Sequence, residues 1–141
     1  MMNVGAANTS TGRELLPGLV SVTFRPLSPR QIVDLVVQAR LAGIEWGGDV
    51  HVPHGDVARA GEVAQMTRDA GLAVAAYGSY YKVGESEAEG LCFTSVLDSA
   101  CALGARVIRV WAGKRGSAAA DEAYRRTVAD DACRIATVAA Q

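Results

Sequence analysis

The sequence lacks most of the features that would assign it at once. Its three cysteines, Cys92, Cys101 and Cys133, are odd in number and form no C-x-x-C. That excludes a zinc-knuckle pattern and a disulfide framework, and the spacing supports separate buried thiols. Neither sign of charge is in excess: fourteen basic residues stand against fifteen acidic ones, for a formal net charge of −1. A nucleic-acid or anionic-membrane binder would carry a basic surplus, so the expected partner is a small molecule or another protein. Long apolar runs are missing too. The opening segment MMNVGAANTSTGRELLPG has no apolar core for a signal or a membrane span, and its Gly, Asn, Thr and Ser residues read as a flexible tail over 1–17. A cytoplasmic location is the corresponding expectation.

What remains is half hydrophobic and 21% charged, enough for one packed domain over residues 18–141. Glycines punctuate it. Three times a helical stretch ends near Gly and a β-rich run follows, as QARLAGIEW, TRDAGLAV and CALGARVIRVW. The first helix opens at Ser28-Pro29-Arg30-Gln31, where Ser28 and Gln31 predict a capping box and Pro29 suits the first turn. Ile32, Leu35, Val36 and Ala39 give it an apolar face. Ser86 and Glu89 predict a similar box before Phe93, Val96, Leu97 and Ala100. A helix from Val57, capped by Asp56, and one from near Asp121 carrying Tyr124, Val128 and Ile135 complete the set.

Between the helices lie the predicted strands LVSVTF (19–24), IEW (44–46), LAVAAY (72–77) and RVIRVW (106–111). Strands alternating with helices predict parallel pairing through right-handed crossovers, in the order 1-2-3-4. Alternation of side chains puts Glu45 opposite Ile44 and Trp46, and Arg109 and Trp111 opposite Ile108 and Val110. Every strand but the third thus has an apolar face and a mixed one. An open sheet covered on both sides wants two apolar faces. A barrel directs one face to its helices and keeps polar groups near its mouth. The expected fold is therefore α/β, with (β/α)4 units of the barrel type.

The strand-to-loop junctions read SVTFR, GIEWGGDVHVPHGD, AYGSYYKVG and ARVIRVWAGKRGS. With these, and most specifically with E-W-G-G-D-x-H-x-P after strand two and I-R-V-W-A-G at strand four, the chain resembles the first half of the sugar phosphate isomerase/epimerase family, the xylose-isomerase-like TIM barrels. The likeness spans about residues 18–141. It implies isomerisation or epimerisation of a sugar, sugar phosphate or polyol, assisted by a divalent metal (Mg, Mn, Co or Zn). The family's metal ligands and bases stand at the ends of strands five to eight, so none is carried over onto this chain, and no catalytic residue or metal ligand is assigned here. The alternative expectation is a non-catalytic half-barrel that binds or assembles, as a homodimer through its exposed edges or with another chain.

The candidate substrate-binding residues are His51, Glu45, Tyr77, Arg109 and Trp111. His51 and His54 are the only histidines. Pro53 and the preceding Gly47-Gly48 make their segment an extended loop, in which the two point apart and do not chelate one ion. Substrate contact and a hydrogen bond that holds the loop both fit His51. Glu45 and Arg109, on alternate strands of one barrel layer, are placed to pair, either to orient a hydroxyl or to neutralise each other. Tyr77 and Trp111 are expected on the inward side as walls of a sugar site or as core. Lys114 and Arg115, between Gly113 and Gly116, have the charge a phosphate favours but no P-loop spacing, and read as a solvated loop.

Overall fold

A computed structural model of the chain describes residues 15–141. Residues 1–14 of the expected tail lie outside them. The elements are β1 (Gly18–Val20), α1 (Pro29–Gln38), β2 (Gly43–Gly47), α2 (Val57–Asp69), β3 (Ala73–Lys82), α3 (Phe93–Leu103), β4 (Ile108–Trp111) and α4 (Glu122–Ala139). The four strands form one all-parallel sheet in the order β1-β2-β3-β4. Sequential order with right-handed crossovers puts every helix on the same side of the sheet. The opposite face is left open.

Local chemistry explains most of the helix starts. Ser28 accepts the Gln31 amide at 3.4 Å while the Gln31 side chain accepts the Ser28 amide at 2.8 Å, closing the capping box of α1. Asp56 caps α2 through the Arg59 amide, and Asp121 caps α4 through that of Tyr124. The start of α3 differs from expectation. Ser86 closes a turn after β3 by accepting the Lys82 amide at 2.7 Å, and the helix begins only at Phe93, whose amide is taken by Glu87. The serine and glutamate at capping-box spacing are engaged elsewhere, Ser86 in the turn and Glu89 with Lys114, and Glu87 takes the free amide instead. Helix ends vary as well. Gly104 is left-handed after α3, but after α1 it is Arg40 that takes φ 56°, and Gly43 already belongs to β2.

Strand boundaries shift for identifiable reasons. Residues 21–24, expected to continue β1, form a single 3₁₀ turn, because Ser21 is drawn in as acceptor of the Gly47 amide at 2.9 Å. β3 is longer than expected, ending at Lys82, and carries a register shift: Ile44 pairs with Val74 but Glu45 pairs with Ala76. The extra residue, Ala75, inverts the alternation beyond it.

The helix side holds one apolar core. Ile32, Val33 and Val36 of α1, Ile44 and Trp46 of β2, Val63 of α2 and Val96 and Leu103 of α3 are all at most 1% exposed. Each such side chain contributes about 1.5–3 kcal/mol relative to exposure. Trp46 also donates its indole N–H to Thr67 on α2 at 3.2 Å, which fixes that helix against β2. α4 is less embedded, with Ile135 its one buried residue. The cysteines correct the expectation of buried thiols: all three are exposed. On α3 the buried positions include Ala100 and Leu103, so Cys101, about 100° further round the helix than Ala100, turns outward.

Candidate functional site

The open face carries a compact polar and aromatic cluster at the C-terminal ends of the strands. Its centre is an ion pair: Arg109 of β4 donates through Nε to Glu45 Oε1 of β2 at 2.7 Å, with Glu45 18% and Arg109 35% exposed. The two residues lie on alternate strands, so the contact must cross β3. It crosses at Gly78, the partner of Arg109 in register, where an added Cβ would stand 2.7 Å from both Arg109 Nη2 and Glu45 Oε1. Burial works against the Arg109 charge, and Glu45 together with Tyr80 more than offsets it, keeping the guanidinium protonated.

A second ion pair lies beside the first. Arg25, just after the 3₁₀ turn, donates to Asp49 in the β2–α2 loop, and its other nitrogen reaches the Tyr80 hydroxyl at 3.4 Å. Tyr80 joins the two pairs: the Arg109 guanidinium sits 5.3 Å and that of Arg25 6.0 Å from its ring centroid. Trp111, 49% exposed, packs beside Tyr80 at 6.5 Å and under Arg109 at 5.8 Å. Tyr80 holds this place with φ 58°, a left-handed conformation that a bulky residue rarely adopts. Reasoning from alternation passed over Tyr80, because its position depends on the bulge at Ala75 and on that left-handed turn.

The same bulge moves Tyr77. Expected on the inward side, it is fully buried on the helix side, in register with Trp46, and donates its hydroxyl to the Val52 carbonyl at 2.8 Å. Burial pushes its pKa up to about 12. The wall position assigned to Tyr77 is thus occupied by Tyr80.

His51 lies in the β2–α2 loop at the mouth but is only 3% exposed. Its Nδ1 meets Ser21 Oγ at 2.9 Å and its Nε2 meets the Leu27 carbonyl at 3.2 Å. A carbonyl can only accept, so Nε2 carries the proton, and Ser21, already accepting from Gly47, donates to Nδ1. Burial lowers the His51 pKa, with the Leu27 carbonyl opposing, and the ring stays neutral at pH 7. This is the loop-holding role. His54 donates from Nε2 to the Ser79 carbonyl and stands edge-on to Tyr77.

A divalent metal does not fit these donors. Glu45 and Asp49 are tied to arginines and both histidines to backbone or serine oxygens, and among the described residues no three metal-ligating side chains converge. In the loop at 113–117 the amides of Lys114 and Arg115 both point to the Tyr124 hydroxyl, which itself donates to Glu85.

Comparison with family models and with curated proteins finds nothing that matches the chain. Among the described residues no helix is long and apolar enough to cross a membrane. Fold and site together define an α/β protein with an all-parallel sheet and a charged, aromatic cluster on its uncovered face.

Proposed function

We propose that the chain is a (β/α)4 half of a TIM barrel of the sugar isomerase/epimerase type, and that its open face is the wall against which a sugar, sugar phosphate or polyol binds. The observation that carries this reading is the Glu45–Arg109 pair, held across Gly78 beneath Tyr80 and Trp111. Carboxylate and guanidinium orient hydroxyls, and a half-exposed indole packs on the apolar C–H face of a sugar ring. The active-site ends of barrel strands are their C-terminal ends, and the cluster lies there.

Isomerisation needs a base within about 3 Å of the transferred proton. Glu45 and Asp49 are each bound to an arginine, so this chain's residues bind and orient, and the proton-transferring groups and any divalent metal belong to the rest of a complete barrel. The test is titration of the purified chain with neutral and phosphorylated ketoses, followed by tryptophan fluorescence, since Trp111 is half exposed and Trp46 fully buried. Saturable quenching that disappears in Trp111→Phe supports the reading. No response up to about 10 mM, an affinity weaker than roughly 3 kcal/mol, sinks it.

A second reading is favoured by the edges. Among the described residues neither β1 nor β4 has an outer neighbour, and α4 buries a single residue. Two copies joined β4 to β1 would close eight strands around a two-fold axis and cover Val107 and Trp111, both now exposed. In this reading the chain is an assembly module, and its stability rises with concentration. Sedimentation at low micromolar concentration decides it, and a sharp monomer is the adverse result.

A further inference from the structure

The open-face cluster holds two ion pairs whose charges balance. Arg25 is neutralised by Asp49 and Arg109 by Glu45. Each contact uses one nitrogen and one oxygen: Arg25 Nη1 with Asp49 Oδ2, and Arg109 Nε with Glu45 Oε1. Both carboxylates therefore keep a second oxygen that can only accept, and both guanidiniums keep further N–H groups that can only donate. The surface alternates acceptor and donor over a short distance, with an aromatic platform beside it.

A hydroxyl donates and accepts, so adjacent hydroxyls of a polyol satisfy such a surface in full. A phosphate group only accepts at neutral pH: it could use the remaining guanidinium N–H groups, but it would bring its own negative charge against two carboxylates that already balance the charge of the two arginines. The two cations of the nearby loop are already engaged. Lys114 is bound to Glu89, Arg115 leans on Asp121 at 3.9 Å, and the amides of both are taken by Tyr124. We infer that the open face takes an uncharged polyhydroxyl ligand, its hydroxyls set between the Glu45–Arg109 and Asp49–Arg25 pairs and its ring on Trp111, and that it discriminates against phosphorylated sugars. This inference rests on the open face being a sugar site.

Lys82 is the residue to control for. It pairs in register with Trp111 at the end of β3 and makes no ion pair among the described residues. The experiment is calorimetric titration of the full chain, and of Lys82→Met, with a neutral ketohexose, a neutral cyclic polyol, the ketohexose 6-phosphate and inorganic phosphate. The neutral ligands should bind at least tenfold more tightly than the phosphate ester, in both proteins, with inorganic phosphate giving no saturable heat. Tighter binding of the ester overturns the inference and leaves the sugar-site reading standing; loss of that advantage in Lys82→Met would locate the anion at Lys82. Binding of none of the four overturns both.

Discussion

Glu45 and Arg109 meet at 2.7 Å across a strand that lies between theirs, and they do so because that strand offers Gly78 at the crossing point. Three strands thus define one contact. The surrounding residues extend it: Tyr80 and Trp111 lie against the guanidinium, and the Arg25–Asp49 pair flanks Tyr80.

Gly78→Ala is expected to separate the pair. The new methyl would fall 2.7 Å from the ends of two flexible side chains, which can move aside. Stability should therefore fall by no more than about 1 kcal/mol, in keeping with a partly exposed ion pair. Ligand binding at the open face should weaken more than stability does. Urea unfolding and calorimetry measured together check the contrast, and a large stability loss with unchanged binding contradicts it.

A double-mutant cycle of Glu45→Gln and Arg109→Met should return a coupling of about 0.5–1 kcal/mol, lower at high salt, since Arg109 remains 35% exposed. Coupling near zero would mean that the pair is not formed in solution.

Stability should depend on His51 at mildly acid pH. The folded pKa is lowered from 6.5 by burial, so the unfolded state takes up the proton first. The contribution is fully present above about pH 6.5 and is lost as pH falls from there through the depressed folded value. Denaturation midpoints between pH 7 and 5 should show this slope in the native chain and lose it in His51→Gln, which sits well above the range where carboxylates titrate.

Thr67→Val should cost about 1–3 kcal/mol, because it keeps the shape of the side chain and leaves the buried Trp46 indole N–H without an acceptor. Thermal or urea unfolding measures it directly. An unchanged midpoint would show that another group satisfies the indole.

α4 should detach when its polar tether is cut. Asp131 accepts from the Gly84 amide at 2.7 Å and from the Tyr81 hydroxyl at 3.3 Å, and pairs with Arg134, which also binds Glu87. Against the burial that would raise it, the Gly84 amide and Arg134 hold the Asp131 carboxyl below its ordinary value. Its contribution is present above pH 3.8 and is lost as pH falls through the depressed value. Asp131→Ala should speed amide exchange throughout α4 while leaving α1 and α2 protected, and uniform protection in the variant would assign the helix another anchor.

Sequence alone determined the architecture because its signals are local. Ser28 with Gln31, Asp56 and Asp121 announce helix starts through contacts three residues away, and short β-rich runs after each helix leave parallel sequential pairing as the simplest topology. Alternation also placed Glu45 and Arg109 on one face, since the extra residues at the register shifts beside them lie on β3 and leave the alternation within β2 and β4 intact. Tertiary structure decided everything that a single inserted residue can invert. Ala75 bulges β3, so Tyr77 turns into the core and Tyr80, with φ 58°, comes to the open face in its stead. It also decided the histidine: whether His51 meets a ligand or holds a loop depended on Ser21 and Leu27, which lie 30 and 24 residues away in the chain. Periodicity carries no information about such distant partners, because they are brought together only when the sheet is assembled.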